Sequence, residues 1–138
     1  MQNLTPALSA VGIYAALNMA LLIWIAMATS RLRVKYKVSI GDGDIKHLTR
    51  IIRGHANAIE NMPIFLIMLV VAALLGMPAL AVHGLGLIFT IGRGFHAWHF
   101  IQEDAPSWQR GGGYGLTILP QLILLVGLVG HGLWMMVV

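Results

Sequence analysis

Between residues 50 and 63 the chain reads Arg50-Ile51-Ile52-Arg53-Gly54-His55-Ala56-Asn57-Ala58-Ile59-Glu60-Asn61-Met62-Pro63. On a helix turning about 100° per residue, Arg50, Arg53, Asn57, Glu60 and Asn61 share an arc of roughly 100°, while His55 points elsewhere. Guanidiniums fork onto carboxylates, and Glu60 can take an ammonium. Such a face suits a small zwitterion that is mostly anionic. Further on, Arg93, His96 and Phe100 repeat a three-then-four spacing, and Arg110 follows. The elements carrying these groups must bring three or four guanidiniums and one carboxylate to a common space.

Those elements have to be membrane helices. Of 138 residues, 58% are hydrophobic and 10% charged, with a mean hydropathy of +0.80; a soluble domain carries about 25% charged residues. Four segments, at about 7–28, 47–75, 78–101 and 112–138, suit a span of about 20 residues. The expected fold class is therefore an all-α integral membrane protein, one domain built as a four-transmembrane-helix bundle. Ala26-Met27-Ala28 resembles a signal-peptide cleavage site. No Lys or Arg precedes it, however, and the apolar run is longer than the roughly 7–15 residues of a signal h-region, so it reads as a retained helix.

The second segment shows why its polar face calls for a function. Its uniformly apolar part, Met62 to Leu75, covers about 21 Å at 1.5 Å per residue, against a hydrocarbon core of about 30 Å. One to two turns of the polar end must complete the span, which places Asn57, Glu60 and Asn61 inside the boundary. A charged residue at mid-helix costs about 2.5–3.5 kcal/mol, and such groups face cavities or partners. Plain anchoring explains Arg31, Arg33, Lys35 and Lys37. It does not explain Glu60.

Seven of the nine basic residues (Arg31, Arg33, Lys35, Lys37, Lys46, Arg50, Arg53) lie between 31 and 53. The positive-inside rule puts the 30–46 loop in the cytoplasm, with the 102–111 loop, and both termini on the opposite side. An anionic inner leaflet accounts for the net charge of +4 without a nucleic-acid partner. There is no cysteine. Disulfides and a protein thiol nucleophile are excluded, and any sulfur chemistry must arrive with the substrate.

The pattern R-x-x-R-x-x-x-N-x-x-E followed by N-x-P resembles the second-helix signature of the MAPEG family, the membrane-associated proteins in eicosanoid and glutathione metabolism. The resemblance continues at Arg93-Gly94-Phe95-His96 and at Arg110 with Gly113-Tyr114-Gly115, and covers essentially the whole chain. It implies a homotrimer in a bacterial inner membrane, with glutathione bound between subunits near the cytoplasmic side. By motif position, Arg53, Asn57, Glu60 and Arg50 would hold the glutathione backbone. Asn61 falls at a contact position, Arg93 and His96 would add contacts, and Arg110 would stabilise the thiolate. The implied activity is a glutathione transferase, with peroxidase activity as an addition, acting on a lipophilic electrophile or lipid. Glutathione is the cosubstrate, and no metal is implied. Two departures bear on catalysis. Phe100 stands where some members have a tyrosine, and Asp104-Ala105-Pro106-Ser107-Trp108 is particular to this chain.

Rival readings differ in class. A non-catalytic glutathione or lipid binder keeps the site without the reaction. A four-helix transporter subunit would use Glu60 for proton coupling, but neighbouring arginines keep that carboxylate ionised. A metal or haem site at His96 and His99 lacks an obvious third ligand beyond His55 or Glu103.

Overall fold

The computed structural model describes residues 4–137, which form four helices: α1 (Leu4–Tyr36), α2 (Lys46–Leu74), α3 (Ala79–Ile101) and α4 (Ser107–Val137). α1, α2 and α4 are each long and apolar enough to cross a membrane. α3, the remaining expected span, falls outside that set. His83, Arg93, His96 and His99 dilute its apolar run.

α2 and α3 form the centre of the bundle. Each touches all three other helices, whereas α1 and α4 make no contact with each other among the described residues. Phe65 of α2 stacks on Phe89 of α3 with ring centroids 3.7 Å apart. Asn18, buried in α1, donates to Thr90 Oγ1 at 2.9 Å and to the Tyr14 carbonyl at 2.8 Å, so the polar interruption of α1 serves its seam with α3. Outside these seams the surface is apolar: Leu17, Ile67, Leu87, Val126, Leu133 and Met136 are all exposed. A water-soluble surface does not carry so much contiguous apolar area. A lipid-facing one does.

Two helix ends differ from the sequence expectation. α1 continues to Tyr36, about eight residues past the anticipated end, so much of the 30–46 segment is helix. Its basic residues read as loop by charge, yet Arg and Lys are good helix formers. The helix stops where Lys37 turns left-handed at φ 56. There the Val38 amide donates to the Arg33 carbonyl at 3.0 Å and the Lys37 amide to the Val34 carbonyl at 3.2 Å, a Schellman closure. α2 ends the same way, with Gly76 at φ 96 and the Met77 amide on the Ala72 carbonyl at 3.0 Å.

α4 starts at Ser107, five residues before the expected 112, so that Ser107 to Gly111, expected in the loop, are helical. Arg110 therefore belongs to the first turn of a long helix. The glycines have a packing reason at one point, where α3 and α4 cross. A Cβ on Gly113 would lie 2.7 Å from the His96 amide nitrogen, and one on Gly92 would lie 2.9 Å from the Gly113 carbonyl oxygen. Small residues let membrane helices approach this closely. That contact sets how near Arg110 comes to α3.

Candidate functional site

A cavity of about 770 Å³ opens between α2, α3 and α4. From α2 it takes Lys46, Thr49, Arg50, Arg53, Ala56, Asn57 and Glu60, from α3 His96, His99 and Phe100, and from α4 Arg110, Gly111 and Tyr114. The α2 members recur at three- and four-residue steps, the period that puts them on one helix face. Six expected site residues thus meet in one space: Arg50, Arg53, Asn57, Glu60, His96 and Arg110.

Two others lie behind its wall. Arg93 is fully buried, and its guanidinium donates to Asn57 Oδ1 at 3.0 Å and to His96 Nδ1 at 3.4 Å. Asn61 donates to the Asn57 carbonyl at 2.8 Å and accepts from Gln121 Nε2 at 3.4 Å. Motif position predicts direct ligand contacts for both. Helical periodicity assigns a face but not a depth, and these side chains spend their hydrogen bonds on the protein. Arg93, Asn57, Asn61 and Gln121 form a relay that ties α3, α2 and α4 together and fixes the Asn57 amide at the cavity wall.

The end of α3 is closed by side chains. Arg50 Nη2 donates to the His99 carbonyl at 3.0 Å and lies 3.3 Å from His99 Nε2. His47 Nε2 bonds the Ile101 carbonyl at 2.8 Å, and Gln102 Nε2 donates to the Trp98 carbonyl at 3.1 Å. Carbonyls at a helix C-terminus lack intrahelical partners, and a cation there also meets the negative end of the dipole. Arg50 is thereby held in one orientation. His96 Nδ1 and His99 Nε2 each lie beside a guanidinium, a poor setting for a bound cation, and no group of three or more His, Asp or Glu among the described residues could hold a metal.

Phe100 forms an apolar patch in the lining. Its ring sits over Gly54, where a Cβ would come 2.5 Å from the Phe100 Cβ, and the Arg50 guanidinium lies 5.9 Å from its centroid. The cavity wall here offers a π face and no hydroxyl. Outside the spans, the Thr49 hydroxyl and the Asp44 amide bond the Asp42 carboxylate and hold it below its usual range.

Lys46, Thr49, Ala56, His99, Gly111 and Tyr114 also line the cavity, although the motifs do not mark them as site residues. Lys46 had a signal, since it falls one turn before Arg50 and inside the same arc. Tyr114 follows Arg110 by one turn of α4.

The arrangement can bind a multiply charged, mostly anionic small molecule. The MAPEG family model matches residues 11–130. This chain belongs to the MAPEG family. It is 33% identical over 100 residues to the inner membrane protein YecN of Escherichia coli strain K12, covering 72% of this chain and 76% of that protein, and matches YecN of strain CFT073 equally.

Proposed function

We propose that this protein is a membrane-embedded glutathione transferase, which activates the glutathione thiolate for attack on lipophilic electrophiles dissolved in the bilayer. The observation that carries this reading is that Arg50, Arg53 and Arg110, from two helices, line one cavity with Glu60. Glu60 takes the glutathione ammonium. Arg50, Arg53 and Asn57 take its carboxylates, and Arg110 is left for the sulfur.

A free thiol titrates near about 8.5, and an adjacent cation lowers that value. Each tenfold rise in thiolate over thiol needs about 1.36 kcal/mol of preference for the charged form, within reach of one guanidinium in a poorly hydrated recess. The chain has no cysteine of its own, so the cosubstrate supplies the nucleophile. Membership of a family that includes glutathione transferases supports the assignment; the name YecN carries no activity.

On this reading α3 is the fourth span, the basic cavity end faces the cytoplasm, and the membrane is a bacterial inner membrane, as for YecN. Arg53, Glu60 and Arg110 are exposed in the single subunit, so the recess is poorly hydrated only once its mouth is covered, and charged groups open to lipid are costly. A neighbouring subunit covering the cavity mouth removes that cost, which supports a homotrimer with glutathione bound between subunits.

A second reading, a non-catalytic glutathione binder, is favoured by Phe100, which lines the cavity without a hydroxyl to offer the sulfur. Equilibrium dialysis with labelled glutathione tests the site they share. Saturable binding that weakens in Arg53→Ala and Glu60→Gln is expected. Binding equal in wild type and both variants contradicts both readings. Conjugation of a chlorodinitrobenzene then separates transferase from binder.

A further inference from the structure

The free side of α1 carries a stripe that changes character at one end. Ala20, Trp24, Met27, Arg31 and Lys35 follow one another at three- and four-residue steps, so at about 100° per residue they fall within an arc of about 80°. All five are exposed, as is Val34 beside them. Ile25 and Thr29, which are buried, lie on the opposite side, turned to α2 and α3. From Ala20 to Arg31 the helix rises about 17 Å, about half of a 30 Å hydrocarbon core. The apolar part of the stripe thus matches the acyl chain of one leaflet, and the two cations stand at the level of its headgroup.

The cations are held in register with the apolar residues. α1 stays helical to Tyr36, whose ring packs edge-on against His47 of α2 with centroids 6.5 Å apart. His47 in turn bonds the Ile101 carbonyl of α3 at 2.8 Å, and Lys35 Nζ lies 5.0 Å from the Tyr36 ring centroid. Arg33, on another side of the helix, donates to the Gly41 carbonyl at 2.8 Å and folds the loop back. No Asp or Glu precedes Asp42 in the chain, and its carboxylate is taken by the Thr49 hydroxyl and the Asp44 amide. Anchoring alone needs basic residues near the boundary, in any direction. It does not need them on the face of Trp24 and Met27.

We propose that this face of α1 seats an anionic phospholipid of the leaflet at the basic end, with its phosphate on Arg31 and Lys35 and an acyl chain along Met27, Trp24 and Ala20. A guanidinium forks onto phosphate oxygens, and an ammonium meets them as a point charge. A zwitterionic lipid offers the same chain but neutralises its own phosphate, so the face selects net negative charge. The seat is independent of what the cavity binds.

Trp24 is itself the probe. Trp98→Phe, Trp108→Phe and Trp134→Phe leave it as the single tryptophan, and its quenching is followed in bilayers mixing phosphatidylcholine and phosphatidylglycerol, with either lipid brominated on its chains. Phosphatidylglycerol is expected to be preferred about 25-fold, about fivefold for each cation. Arg31→Gln and Lys35→Gln should each remove one such factor, and Arg31→Lys should keep the preference. Lys46→Gln, on the cavity side of α2, should leave it unchanged; a drop equal to that of Arg31→Gln would reveal diffuse attraction to the whole basic end and overturn the seat. Equal quenching by the two lipids would overturn it as well. Quenching by neither would show a second copy of the chain covering the face. Native mass spectrometry of phosphatidylglycerol retained per chain repeats the comparison with all four tryptophans in place, and retention unaffected by Arg31→Gln with Lys35→Gln would contradict the proposal.

Discussion

The guanidinium of Arg50 donates to the main-chain carbonyl of His99 at 3.0 Å, so a side chain of α2 closes the end of α3. The same guanidinium lines the cavity, which makes one residue both a clasp between helices and a wall of the site. Hydrogen bonds to charged groups are worth about 1.5–3 kcal/mol. Arg50→Met should therefore lower the melting temperature of the detergent-solubilised protein and also weaken glutathione binding. Loss of binding with an unchanged melting curve would show that the clasp contributes nothing to stability.

Arg93 makes the opposite prediction. Its partners are an amide oxygen and an imidazole nitrogen. Removing the guanidinium ends the cost of burying a charge and leaves two acceptors without their donor, opposing effects of about 1–3 kcal/mol. Arg93→Met should therefore move the melting curve little while freeing the Asn57 amide to turn, weakening glutathione binding about tenfold, the worth of one hydrogen bond. Titration calorimetry beside a melting curve separates the two effects. Unchanged affinity would make Arg93 a packing residue alone.

The α3–α4 crossing can be tested by contrast. Gly113→Ala puts a Cβ 2.7 Å from the His96 amide nitrogen, and backbone cannot step aside. It should destabilise by about 1–3 kcal/mol, the usual range for overpacking, and carry Arg110 away from the cavity. Gly112→Ala meets nothing within 4 Å and should stabilise by about 0.5–1 kcal/mol through helix propensity. Equal behaviour of the two variants in thermal melts would refute the close crossing.

Lys37 holds the left-handed position that ends α1, at φ 56. A side chain there costs about 1–2 kcal/mol, partly offset by the greater freedom glycine loses on folding. Lys37→Gly should raise stability by about 0.5–1 kcal/mol without affecting ligand binding. A melting temperature that falls would contradict this account of the helix end.

The face of α2 was legible in the sequence because Arg50, Arg53, Asn57 and Glu60 obey a helical period inside an apolar run, where charge has to be explained. Depth was not legible. Arg93 and Asn61 share the periodicity of true lining residues, and only the packing of α3 and α4 shows that their hydrogen bonds turn inward. Helix ends were obscured for a different reason. Charge at Arg31 to Lys35 and the stretch up to Gly111 both read as loop, although the first segment has good helix formers and the second is helix from Ser107 onward. Tyr114 and Gly111 enter the lining because α4 starts at Ser107, a boundary that composition alone does not mark.

The proposed transferase activity would depend above all on Arg110 stabilising a bound thiolate. Ultraviolet difference spectra of the detergent-purified protein titrated with glutathione measure that species directly. A thiolate band should appear on saturation at neutral pH, and in Arg110→Ala it should vanish while glutathione still binds. A band of equal intensity in Arg110→Ala, or no band in the saturated wild type, would contradict that role.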